Sequence, residues 1–186
     1  FTGDATTVTV TGDTSLNLDL NIDAPTSGSR AVTVDASANT AFVDIAGATN
    51  ANVSYSITGT AGKDTLTLNN SGGTLIGGDG NDTLLGGDGN DSIIGNDVAN
   101  ELRGGSGHDT IDGGLGNDTI DGEAGNDSLL GGNGEDSLLG GTGNDSIDAG
   151  FDSDTLIGGS GNNRLAGGSG DGPRGDWVSY DWQTGA

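Results

Sequence analysis

Residues 77–94 read GGDGNDTLL GGDGNDSII, two nine-residue blocks that differ only by Thr/Ser and Leu/Ile exchanges. The phase holds onward through GNDVANELR (95–103), GGSGHDTID (104–112), GGLGNDTID (113–121), GEAGNDSLL (122–130) and GGNGEDSLL (131–139). It continues as GGTGNDSID (140–148), AGFDSDTLI (149–157), GGSGNNRLA (158–166) and GGSGDGPRG (167–175). Backwards, GTAGKDTLT (59–67) fits well, while LNNSGGTLI (68–76) keeps only the apolar eighth position. Thirteen frames thus cover 59–175 and hold 34 of the 39 glycines in the 186-residue chain. High glycine with high charge is also the composition of disorder, but disorder does not lock glycine to a phase.

Each position has a physical reading. Glycine at positions one, two and four permits positive φ and close backbone approach in a tight turn. Position six is aspartate at 64, 82, 91, 109, 118, 127, 136, 145 and 154, and position eight is apolar without exception from Leu84 to Leu165. The pattern predicts a six-residue turn followed by a three-residue strand with one inward side chain. A strand that short buries nothing alone, so neighbours must stack. Two nonapeptides make an 18-residue coil whose strands alternate between two facing parallel sheets. Turns then superpose every second frame, which brings aspartates 18 residues apart to within one strand spacing, about 4.8 Å. Carboxylates at that distance repel. A hard divalent cation with six to eight oxygen ligands at roughly 2.3–2.6 Å relieves the repulsion, and calcium suits an all-protein cage better than magnesium.

These blocks resemble the glycine- and aspartate-rich calcium repeats of the RTX proteins over 59–175. The resemblance implies a right-handed parallel β-roll. It also implies that carbonyls of positions one and three of one turn, and two and four of the stacked turn, join both aspartates around each ion. Carried onto this chain, the turn ligands come from Gly59, Ala61 and Gly62, from Gly77, Gly78, Asp79 and Gly80, and from Gly86, Gly87, Asp88 and Gly89. Further along they come from Gly104, Gly105, Ser106 and Gly107, from Gly113, Gly114, Leu115 and Gly116, and from Gly122, Glu123, Ala124 and Gly125. The last two turns supply Gly131, Gly132, Asn133 and Gly134, and Gly140, Gly141, Thr142 and Gly143. Pairs 64/82, 118/136 and 136/154 fall on one edge and 91/109, 109/127 and 127/145 on the other, for about six ions or more. Frame 95–103 lacks glycine at positions two and four and carries Asn100 at position six, which weakens 82/100 and 100/118 unless Asp97 or Glu101 lends an oxygen. Asn163 and Gly172 weaken the C-terminal end in the same way.

The flanks read differently. Residues 1–58 alternate at Val8/Val10, Leu16/Leu18/Leu20/Ile22, Val32/Val34, Val43/Ile45 and Val53/Tyr55/Ile57, a β-rich section that suits an irregular solenoid or a small sandwich. The absence of a linker before Gly59 favours the solenoid. Residues 176–186 (DWVSYDWQTGA) offer Trp177, Val178, Tyr180 and Trp182 as a cap or as the start of a next segment.

Composition narrows function. Twenty-eight acidic against five basic residues give a net charge of −23, which excludes nucleic acid and disfavours anionic membranes. Without cysteine there are no disulfides or zinc–sulfur sites, and no apolar run reaches a membrane span. The sole histidine, His108, reads as a solvated turn residue; no metalloprotease, nucleophile-elbow or P-loop motif occurs, and the Asp runs fail the EF-hand template. No regular Thr/Asn ladder of the kind ice binding needs is present. The chain reads as a non-catalytic segment of a longer, secreted bacterial protein of surface-layer or adhesin type, and the RTX resemblance implies export in one step by a type I machine. The alternative is a calcium-dependent C-terminal module of a secreted lipase or protease. Outward-facing Leu85, Ile94, Leu130, Leu139 and Ile157 at position nine suggest self-association in a surface array.

Overall fold

A computed structural model describes residues 5–9, 16–20, 30–36, 43–47, 53–68, 72–169 and 175–179. Val10, Ile22, Tyr180 and Trp182 lie outside the described residues. In chain order the strands are β1 (Ala5–Thr9), β2 (Leu16–Leu20), β3 (Arg30–Asp35), β4 (Val43–Gly47), β5 (Val53–Thr58), β6 (Thr65–Thr67), β7 (Thr74–Ile76), β8 (Thr83–Asp88) and β9 (Ser92–Asn96). They continue as β10 (Glu101–Ser106), β11 (Thr110–Leu115), β12 (Thr119–Ala124), β13 (Ser128–Asn133), β14 (Ser137–Leu139), β15 (Ser146–Phe151), β16 (Thr155–Ile157), β17 (Arg164–Ala166) and β18 (Trp177–Ser179). Odd-numbered strands form one nine-stranded parallel sheet and even-numbered strands the other. The chain is a parallel β-roll.

Register follows the repeat. Ile57, Leu75, Ile93, Ile111, Leu129, Ile147 and Leu165 align in one sheet. Leu66, Leu84, Leu102, Ile120, Leu138 and Leu156 align in the other. All of these but the half-buried Leu165 are at most 2% exposed, and together they form the apolar seam between the sheets. Each contributes roughly 1.5–3 kcal/mol by burial, and a seam one side chain wide per strand gives a small core for a chain this charged. The core continues into the N-terminal section, where Val32, Val34, Val53, Tyr55 and Ile57 are buried. There β4 pairs with β6 and β5 with β7, so both sheets run unbroken through residue 59. Coil length is what changes. Ala5 aligns with Ala31 and Arg30 with Val53, whereas from Ser56 and Thr74 onward the 18-residue coil sets in.

Two local readings of the repeat need correction. Strands β8, β10, β11, β12, β13 and β15 run for six residues, not three, because positions one to three continue the ladder before the chain turns. Each strand therefore has two inward places: the apolar eighth position and the first position of the next frame, where Gly86, Gly104, Gly113 and Gly131 are buried. Those first-position glycines do not use positive φ. They are glycine for space, since a Cβ on Gly86 would sit 2.7 Å from Asp91 Oδ2 and one on Gly113 2.5 Å from Asp118 Oδ2. The left-handed backbone belongs to positions two and four, as at Gly105 (φ 105°) and Gly107 (φ 139°).

Candidate metal centre

The turns stack in direct register along both edges of the roll. Third-position amides reach back to second-position carbonyls: Asp79 N–H donates to Thr60 O (2.9 Å), Thr142 N–H to Glu123 O (2.7 Å) and Ser160 N–H to Gly141 O (2.8 Å). Fourth-position amides of Gly89, Gly107, Gly116 and Gly125 donate to the third-position carbonyls of Ser106, Ala124, Asn133 and Thr142. Side chains at position three (Asp79, Asp88, Ser106, Leu115, Ala124, Asn133, Thr142) are exposed, so only their backbone faces the stack and their identity is free to vary.

The sixth position is where the edges are built. On one edge the backbone N–H of Asp64 donates to Asp82 Oδ1 (2.8 Å), Asp82 to Asn100 Oδ1 (2.9 Å), Asn100 to Asp118 Oδ1 (2.8 Å), Asp118 to Asp136 Oδ1 (2.8 Å) and Asp136 to Asp154 Oδ1 (2.8 Å). On the other, Gly73 donates to Asp91 Oδ1 (2.7 Å), Asp91 to Asp109 (2.8 Å), Asp109 to Asp127 (2.9 Å), Asp127 to Asp145 (2.9 Å) and Asp145 to Asn163 Oδ1 (2.8 Å). All six aspartate pairs read from the repeat are thus adjacent. These side chains are between 0% and 5% exposed from Asp64 to Asp154.

In six of these carboxylates one oxygen holds the neighbouring turn and the other is left over. Oδ2 of Asp91, Asp109, Asp118, Asp127, Asp136 and Asp145 is buried and accepts no hydrogen bond. Oxygens of this kind are costly to bury bare. Burial pushes Asp82, Asp91 and Asp136 up to about 7, and Asp118 and Asp127 up to about 6, although the backbone N–H bonds they accept pull the other way. Asp109 and Asp145 are raised for the same reason. Among the described residues no three acidic or imidazole side chains converge. To the two sixth-position side chains of each pair the RTX resemblance would add turn carbonyls, an all-oxygen set suited to calcium. A row of bare, buried, desolvated carboxylate oxygens is what a divalent cation stabilises, so the residues present fit the ion.

The model of the RTX calcium-binding nonapeptide repeat (four copies) matches this chain at residues 69–102, 94–129, 103–138, 130–165 and 139–172, which together span more than half of it. The chain belongs to the RTX calcium-binding repeat family. No curated protein matches it. RTX repeats bind calcium, and the roll they form is a structural calcium-binding module rather than a catalytic one.

Three features of this RTX roll escape a strict nine-residue reading. Asp176 takes the sixth-position place that counting assigns to Gly172: Asp154 N–H donates to Asp176 Oδ1 (3.2 Å), 22 residues away, and Val178 aligns with Leu156. The spacing from Asp154 to Asp176 is four residues longer than the 18 between the stacked sixth positions before it. Its signal was the spacing in Asp176–Trp177–Val178, which repeats the aspartate-x-apolar order of the nine aspartate-bearing frames. At the opposite end, Thr60 N–H and Oγ1 both donate to Asp64 Oδ2 (2.5 and 2.9 Å), so a position-two hydroxyl caps the first carboxylate. Finally, His108 belongs to an outer ladder of fifth-position side chains: its N–H donates to Asn90 Oδ1 and its Nδ1 accepts Asn126 N–H, both at 2.8 Å. Asn144 N–H and Asn162 N–H continue that ladder onto Asn126 and Asn144. Glu101 is turned outward onto Arg103 (2.8 Å) and Asp97 is exposed, so neither reaches the stack.

Proposed function

We propose that this chain is a non-catalytic, calcium-responsive structural module of a secreted bacterial surface protein, of surface-layer or adhesin type. The row of bare buried carboxylate oxygens carries the reading. In low calcium those groups oppose folding, and ion binding outside the cell becomes folding free energy, so the chain can cross a type I export channel unfolded and lock afterwards. The ions sit at pairs 118/136, 136/154, 91/109, 109/127 and 127/145, with the stacked turn carbonyls completing each set; a sixth, at 64/82, has to displace the Thr60 bonds from Asp64 Oδ2. Six divalent ions reduce the formal charge from −23 to −11. Affinities of about 10⁻⁴–10⁻³ M place the switch between cytosol and exterior. No helix among the described residues is long and apolar enough to cross a membrane.

Lateral self-association rests on position nine. On one face Ile94 and Leu130 are about two-fifths exposed (42% and 40%), separated in register by Asp112. On the other, half-buried Leu139 aligns beside Ile157. A roll with isolated apolar side chains on both faces can contact a neighbour on each side. Leu130→Ser with Leu139→Ser tests both faces at once. Calcium-induced assembly, followed by light scattering, should be abolished while the calcium-induced circular dichroism change stays intact; unchanged assembly refutes the array.

A further inference from the structure

The 95–103 frame (GNDVANELR) breaks the repeat in the middle of one edge, yet the stack passes through it without a gap. Its second residue does this. Asn96 Nδ2 lies 2.7 Å from Gly80 O, 3.0 Å from Asp82 Oδ2 and 3.3 Å from Asn100 Oδ1. Its Oδ1 accepts Val98 N–H at 2.8 Å. A carbonyl can only accept and an amide N–H can only donate, so the carboxamide is fixed at both ends. The three oxygens around its nitrogen are a fourth-position turn carbonyl and the sixth-position side chains of two stacked turns. Those are the oxygen types that the RTX resemblance assigns to an ion at the other joints.

We infer that the Asn96 side-chain amide takes the place of the ion at the Asp82/Asn100 joint, which therefore binds no calcium. The backbone supports this independently. Second-position residues on either side are left-handed, as at Gly87 (φ 94°) and Gly105 (φ 105°), whereas Asn96 does not have a positive φ. The turn has been re-aimed so that a side chain enters the stack. Asp82 Oδ2, unlike Oδ2 of Asp91, Asp109 or Asp118, has a hydrogen-bond donor. Asn100 carries no charge to neutralise, and its Nδ2 is held by Val98 O (2.5 Å) and Asn96 Oδ1 (3.1 Å). The calcium ladder on this edge is thus divided in two, while the opposite edge runs on through Asp91, Asp109, Asp127 and Asp145. The joint is a hydrogen-bonded splice.

The inference rests on the calcium reading of the other pairs, and the test separates the two. Bound calcium is counted by native mass spectrometry and equilibrium dialysis on the wild-type chain and on Asn96→Gly/Asn100→Asp, which restores the repeat at this joint. The double variant should bind at least one ion more than wild type. An unchanged count, with wild type binding calcium normally, overturns the splice; no calcium bound by wild type overturns the underlying reading instead. If the double variant does not fold, hydrogen exchange of wild type at sub-saturating calcium decides. The Asp82 N–H, bonded to Asn100 Oδ1, should be protected at lower calcium than the Asp109 N–H, bonded to Asp127 Oδ1. Simultaneous protection of the two overturns the splice.

Discussion

Asp127→Ala should remove two bound calcium ions and raise the calcium midpoint for folding by about tenfold or more. Asp127 is shared by the 109/127 and 127/145 pairs, so one truncation takes a carboxylate from both. It also strips Asp109 N–H of its 2.9 Å acceptor. An orphaned buried donor costs about 1–3 kcal/mol, and about 1.4 kcal/mol is a factor of ten in an equilibrium constant. The control is Asp148→Ala, which removes the same charge from an exposed position-nine place on the outer face of the same sheet. It should leave both ion count and midpoint close to wild type. If the two variants titrate alike, total acidity matters and the buried row does not.

Lowering the pH should fold the metal-free chain rather than denature it. The ladder carboxylates have folded values near 6 to 7 against an ordinary value of 3.8. A raised folded-state value means the folded chain holds protons more tightly than the unfolded chain. The protonated ladder therefore favours the fold below about pH 4, and that contribution is lost as pH climbs through 6 to 7. Chelated and dialysed protein should accordingly show β-sheet circular dichroism at pH 5 and lose it by pH 8. In the presence of calcium, proton and ion compete for the same oxygens, so the folded protein should bind calcium more weakly as pH falls from 7.5 to 5.5, while the calcium needed to fold the chain falls because protons already favour the fold. Unfolding of the metal-free chain on acidification would show that these aspartates are not desolvated in the fold.

How much of this was legible in the sequence depended on phase. From Gly77 onward, glycine, aspartate and an aliphatic residue recur at fixed spacing, and that alone gave the 18-residue coil, the two parallel sheets and the aspartate stacks. The alternation of Val32/Val34 and Val53/Tyr55/Ile57 marked inward faces in the N-terminal section. It could not fix their partners, because coils of unequal length carry no period to count. Asp176 was missed because a spacing four residues longer moves it out of frame, although its local spacing to Val178 is kept. First-position glycines were credited with positive φ and close backbone approach, and only the approach is used, to a carboxylate and to the next turn's carbonyl. Nothing in a list of positions tells the two apart, since both demand the absence of a side chain. Asn96 was read as a defect for a related reason: a repeat scored by what it lacks does not reveal what an amide can do in the gap.

The central claim is that the acidic turns of this RTX chain stack only when divalent charge offsets them. It is tested most directly by far-UV circular dichroism and small-angle scattering at pH 7.5, in chelator and across a calcium titration, with magnesium as control. The β-sheet spectrum and compact radius should vanish in chelator, return with calcium and fail to return with the same concentration of magnesium. A chelated sample that keeps both the spectrum and the radius of the calcium-loaded protein would contradict the account.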